Sequence, residues 1–272
     1  MENSVAQAIG LRHQPVAILW SDDKPSGALQ FKEGRWGCVM WLAAHAAKGK
    51  PAACDAKTFG CVGGGVGLGF GNQYVNFPGG LPGFCHFLSS GNASREGGTE
   101  LARTIQPFVD AEMFDNFLEG ERYLKGPEQV ERFIDNLPIM DIPKRYVVFK
   151  PLQSLDRGVE LPAVILFFAN PDQLSALTIL ANYGRDDNEN VIMPYAAGCQ
   201  TMGIYPFREA RSERPRAVVG LTDLSARVHI RKQLKDPHLM TFAVPLALFD
   251  EMEGNVAGSF LERPTWKSLL ED

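Results

Sequence analysis

The sequence contains no Cys-x-x-Cys pair, although it has five cysteines: Cys38, Cys54, Cys61, Cys85 and Cys199. That absence excludes zinc-ribbon and thioredoxin-type spacings. The clustered cysteine runs of ferredoxins are missing as well. An odd number of thiols scattered over 272 residues does not read as a disulfide framework. Any metal site has to be assembled from segments far apart in the chain.

A basic excess is lacking too. Lys and Arg total 27 against 32 Asp and Glu, a formal net charge of −5. With no basic stripe to neutralise phosphates, nucleic acid and anionic membranes are not the expected partners. The densest basic run, Arg208 to Arg216, is diluted by Glu209 and Glu213 and reads as a solvated loop. No apolar run approaches the roughly 20 residues that a membrane-spanning helix needs. The segment from Met1 to Gly10 has neither the basic nor the apolar region of a secretion signal, so the expected compartment is the cytoplasm. Familiar catalytic signatures are missing: His-Glu-x-x-His, Gly-x-Ser-x-Gly, Gly-x-Gly-x-x-G and the Gly-Lys-Ser/Thr ending of a phosphate loop.

What is present is ordinary globular composition, 45% hydrophobic and 22% charged. A chain of this size buries roughly three quarters of its unfolded surface and needs no staple. Short apolar runs predict strands at Pro15–Trp20, Tyr146–Lys150, Ala163–Ala169, Ala217–Thr222 and Met240–Pro245. Helices are predicted over Trp36–Lys48, Glu100–Leu118, Pro127–Asn136, Asp172–Ala181, Pro194–Met202 and Leu246–Glu253. The Asp172 helix has Asn170 as cap and Pro171 in its first turn. The expected class is α+β (mixed α/β). We expect one domain over 1–272, with two α/β halves near 1–140 and 141–272 packed as one globular unit.

Three cysteines sit among small residues. Cys38 follows Arg35-Trp36-Gly37 at the start of a predicted helix, where the helix dipole would favour a thiolate. Cys61 opens a stretch with seven glycines in the twelve positions from Gly60 to Gly71. Cys199 lies in Tyr195-Ala-Ala-Gly-Cys-Gln200. Glycine backbone allows N–H groups to approach a bulky anionic group closely, so Gly63, Gly64 and Gly65 are candidate cofactor-binding positions. A tight helix-packing segment explains the same glycines equally well. Buried structural thiols are the plain alternative for the cysteines. His45, seven residues after Cys38, shares its predicted helix face and is a candidate outer hydrogen-bond donor or ligand. A cysteine nucleophile with a depressed pKa is a third reading.

Taken together these residues resemble a known family. The likeness runs through Gly10-Leu11, Pro15-Val16-Ala17, Cys38 with its Arg/Trp/Gly lead, Thr58-Phe-Gly-Cys61 with its glycines, and Leu68-Gly69. It continues at Ala196-Ala-Gly-Cys199 and in the strand and helix that begin near Phe242. The family is the one known as domain of unknown function 169, common in anaerobic bacteria and archaea, and it has no settled activity to carry over. The resemblance implies that Cys38, Cys61 and Cys199 are the recurring cysteines, whereas Cys54 and Cys85 match no family position. It raises an iron–sulfur cluster, or a related metal cofactor, to the leading expectation, with Cys38, Cys61 and Cys199 as metal ligands. Cys54, Cys85, His45 or no protein group would fill a fourth position. The expected partner is a small-molecule substrate or a redox partner. The alternative is a small-molecule or anion-binding regulatory module with structural cysteines.

Overall fold

The computed structural model describes residues 3–156 and 158–271. Two compact units emerge: one formed by Met1–Phe70 with Met140–Asp272, the other by Gly71–Ile139.

The larger unit begins with α1 (Ser4–Ala8), β1 (Val16–Ser21), α2 (Met40–Ala47), β2 (Ala52–Asp55) and α3 (Val62–Gly67). The smaller unit is helical, with α4 (Gly80–Phe87), α5 (Gly98–Ile105), α6 (Ala111–Glu119) and α7 (Pro127–Asp135). Its centre is aromatic: Tyr74 stacks on Phe84 at 4.0 Å, and Phe77 meets Phe84, Phe87 and Phe117. The single helix expected over Glu100–Leu118 is in fact α5 and α6, separated by a 3-10 turn at Gln106–Phe108. Pro107 supplies no N–H to a continuing helix, and Asp110 restarts one by accepting the Met113 N–H at 2.8 Å.

The chain re-enters the larger unit with β3 (Tyr146–Pro151), β4 (Val164–Ala169), α8 (Pro171–Asn182), β5 (Val191–Ile192), α9 (Gly198–Met202) and α10 (Ile204–Glu209). It ends with β6 (Ala217–Gly220), α11 (Leu224–Leu234), β7 (Met240–Pro245), α12 (Leu246–Gly254) and α13 (Pro264–Leu269). The expected cap of α8 is present: Asn170 accepts the Gln173 N–H at 2.9 Å and Gln173 returns the bond at 3.0 Å. The run Arg208–Arg216 is not simply a solvated loop. Arg208 lies in the last turn of α10, and Glu209, its final residue and only 4% exposed, accepts from Arg208 at 2.8 Å and Arg216 at 3.0 Å.

All seven strands form one sheet in the order β2-β3-β1-β4-β7-β6-β5, antiparallel except for the β5–β6 pair. The architecture is α+β. Successive side chains of a strand point to opposite faces. Ile18, Phe149, Leu166 and Val218 accordingly join one core with α2, α9 and α11. Leu19, Val148, Phe167 and Val219 join a second core with α1, α8, α12 and α13. With both faces covered, the central strands read as continuous apolar runs, which is why they were legible in the sequence.

Candidate functional site

The face of the sheet carrying α2, α9 and α11 also carries Cys38 and Cys199. Cys38 lies before α2 rather than inside it, because the helix begins at Met40, not at Trp36. Its carbonyl accepts the Trp41 N–H at 2.9 Å. The preceding loop is pinned by Trp36, which packs edge-on to Trp41 at 5.7 Å and beside His229 of α11 at 5.8 Å.

Cys61 is the N-cap of α3, and its Sγ accepts the Gly64 N–H at 3.3 Å. Cys199 is buried in the first turn of α9, which starts four residues later than Pro194. Its Sγ donates to the Gly63 carbonyl at 3.1 Å. α3 and α9 touch through backbone. A Cβ on Gly67 would lie 2.7 Å from both the Sγ and the carbonyl carbon of Cys199, and one on Gly203 would lie 2.0 Å from the Gly67 carbonyl oxygen. The glycine run therefore serves close helix packing and, through Gly63 and Gly64, contacts two of the sulfurs. The Gly65 N–H donates to the Cys61 carbonyl at 2.9 Å.

The electrostatics tie the three thiols together. Burial pushes the Cys38 thiol far up, the nearby Cys61 thiol pushes it further, and the Met40 N–H only partly offsets them. The helix start thus does not make Cys38 a ready thiolate, because loss of hydration outweighs one backbone amide. Cys199 is raised by burial, then by Cys61, Asp223 and Cys38. Asp223 also raises Cys38. Cys61 and Asp223 thus act on both Cys38 and Cys199.

Asp223 escaped the sequence reading. β6 ends at Gly220, Leu221 takes the left-handed conformation with φ +63°, and Asp223 then caps α11. Its Oδ2 accepts the Ala226 N–H at 3.0 Å and the Ser225 hydroxyl at 3.2 Å. Its Oδ1 is buried outside the geometry of a regular hydrogen bond, although the Gly198 N–H and its own N–H also favour the charged carboxylate, and the residue is 6% exposed. Burial raises its carboxyl above the usual range despite hydrogen bonds from Ala226, Ser225, its own N–H and Gly198.

The remaining candidates lie in other surroundings. Cys54 is buried in β2 opposite Val147, and its thiol is raised by burial and then by Asp55. Cys85 belongs to α4 of the smaller unit and is raised by burial, then by Glu131 and Asp135. His45 in α2 is lowered by burial and by Lys48 and Lys50. Among the described residues no group of three or more His, Cys, Asp or Glu side chains is arranged to grip a single metal ion. A separate cavity of about 290 Å³ is lined by Asp55, Lys57, Phe70, Asp141, Lys144 and Arg145. Its cations are already paired: Lys57 with Glu33, Lys144 with Asp22 and Arg145 with Asp55. Among the described residues no helix is long and apolar enough to cross a membrane.

A seven-stranded mixed sheet with helices packed on both faces defines the class as α+β. Residues 4–255 match the family catalogued as domain of unknown function 169 (DUF169), described as an uncharacterised ArCR, and the chain belongs to that family. No curated protein and no solved structure matches it.

Proposed function

We propose that this chain holds an iron–sulfur cluster, or a closely related metal cofactor, through Cys38, Cys61 and Cys199. The supporting observation is the mutual electrostatic burden of these thiols, which come from three distant segments. Neutral thiols alone would be acceptable packing groups. A buried carboxylate near them is costlier, because burial opposes its charge in spite of its hydrogen bonds. A cation resolves both costs, since it stabilises thiolates and carboxylate together. An anionic ligand would compound them, which weighs against the anion-binding alternative.

The donor set suits iron. Soft thiolates select iron–sulfur clusters, zinc or copper(I). In a four-iron cluster each cysteine binds a different iron, so the sulfurs need not converge on one point. The Gly64 amide at the Cys61 sulfur is the type of hydrogen bond that tunes a cluster's potential. Once bound, such a group supplies either electron transfer or, where an iron lacks a protein ligand, Lewis-acid activation of a small substrate. The partner is accordingly a redox protein or a small molecule, and a reducing cytoplasm suits the free thiols.

Anaerobic purification with iron and acid-labile sulfide assays tests the reading. Iron and sulfide in equal amounts, with visible absorption that dithionite bleaches, are expected. A colourless protein that stays free of iron after reconstitution overturns it.

A further inference from the structure

We propose that the cavity of the larger unit binds a small zwitterion of the α-amino acid class, with the carboxylate on Arg145 and Lys57 and the ammonium on Asp141. This inference is separate from the cluster reading and does not depend on it.

Three stretches of the larger unit form the cavity. Asp55 ends β2 opposite Tyr146, the first residue of β3, which brings Arg145 beside the turn at Asp55–Lys57. Gly69 and Phe70 follow α3, and Phe70 makes an antiparallel bridge with Asp141. The Ile142 N–H donates to the Gly69 carbonyl at 2.8 Å. Gly69 has φ +83°, and a Cβ there would lie 2.8 Å from Cγ2 of Ile142, so glycine is what lets these two segments close on each other. The enclosed space, about 290 Å³, is at the small end of ligand pockets, about 300–1,000 Å³.

Arg145 is held in place without spending its donors. Oδ1 of Asp55 is used inside its own turn, by the Lys57 N–H at 3.0 Å and the Thr58 hydroxyl at 2.8 Å. Its Oδ2 stands 4.0 Å from the Arg145 guanidinium, too far for a hydrogen bond, and the Tyr146 ring lies 4.9 Å from that guanidinium. Charge on one side and the aromatic ring on the other orient the fork, and neither takes an N–H. Such a fork matches a carboxylate, which accepts two parallel bonds. Lys57 is also available. Its ammonium is 3.4 Å from Glu33, with the two side chains 70% and 68% exposed, and exposed pairs of this kind add little and exchange readily. Lys144 instead serves as a brace. It holds Asp22 at 2.5 Å, and Asp22 also accepts the Arg145 backbone N–H at 3.3 Å.

Asp141 supplies the opposite charge. Among the described residues it has no ion pair and no side-chain hydrogen bond. Phe70, 8% exposed, and Ile142 give the cavity an apolar wall. A simple anion would meet Asp141, and a simple cation would meet three positive side chains. A ligand carrying both charges on neighbouring atoms satisfies each sign, and its side chain lies on Phe70 and Ile142.

Calorimetric titration of the chain as purified with each of the standard amino acids tests the proposal, with acetate and methylammonium as probes of a single charge. At least one amino acid is expected to bind, and the two single-charge probes at least about tenfold more weakly. Arg145→Ala and Asp141→Asn should each weaken that amino acid by about tenfold or more. Both residues are exposed, so the substitutions leave the fold intact, which thermal melting without ligand checks. Failure of every amino acid to bind at concentrations up to about 10 mM overturns the proposal. So does acetate or methylammonium binding as tightly as the amino acid, and so does a smaller effect of either variant. Iron content enters none of these readings, so the cluster proposal stands or falls apart from them.

Discussion

The sulfur of Cys199 donates a hydrogen bond to the carbonyl oxygen of Gly63 at 3.1 Å, across 136 residues of chain. That bond joins the turn of α9 to the glycine helix α3.

Gly67 is the tightest point of this contact. Gly67→Ala places a methyl 2.7 Å from both backbone and sulfur of Cys199. Backbone cannot yield as a flexible side chain does, so the helices must separate. The expected loss is about 1–3 kcal/mol, the usual range for overpacking. Urea unfolding checks it, and a midpoint unchanged from wild type contradicts the close-packing account.

Cys61→Ser separates the cofactor reading from the packing reading. Serine still accepts the amide of Gly64 and still caps α3. Thermal stability of the metal-free protein should therefore change by less than about 1 kcal/mol. Iron retained after desalting should fall severalfold. Retention of iron at the wild-type level removes Cys61 from the ligand set.

The metal-free thiols should be sluggish nucleophiles. Burial raises Cys38, Cys54 and Cys199, so their thiolate fraction at pH 7 is negligible. Iodoacetamide labelling followed by mass spectrometry should modify these three far more slowly in the folded chain than in urea. Rapid, selective labelling of Cys38 would restore the cysteine-nucleophile reading.

Glu209 predicts an acid-sensitive edge to stability. Burial pushes its carboxyl up, but hydrogen bonds from Arg216 and Arg208 outweigh burial and hold it below the usual 4.5. Because the folded form binds the proton less readily than the unfolded chain, the contribution is full above about pH 4.5 and is lost as pH falls through the lowered value. Both arginines are more than a third exposed, so solvent screens the pairs and Glu209→Gln should cost only about 1–2 kcal/mol near neutral pH. Stability curves of wild type and Glu209→Gln should converge as pH drops below 4.5. Parallel curves down to pH 3, about 1.5 units lower, would contradict the assignment.

Much of the fold was visible in the sequence because strands buried on both faces are apolar at every position, as in Val164–Ala169. The cap of α8 was visible because Asn170 and Gln173 satisfy each other within four residues. Helix starts were harder. Trp36 looked helical, but its ring is held by Trp41 and His229, a contact no local pattern encodes. The cysteines stood out by their small neighbours and by family resemblance. Asp223 did not, because Asp before Leu-Ser-Ala reads as an ordinary helix cap. Only the fold reveals that its carboxyl is buried and acts on Cys38 and Cys199.

The smaller unit, Gly71–Ile139, interrupts the chain between Cys61 and Cys199. During synthesis Cys38 and Cys61 leave the ribosome first, and Cys199 and Asp223 follow only after that whole insertion. From Cys61 to Cys199 the delay at ordinary elongation rates is roughly seven to thirty seconds. Throughout it two thiols wait without their companions, open to stray metals and oxidants. On the proposed function, a cofactor held by all three thiols can be completed only after Cys199 has emerged.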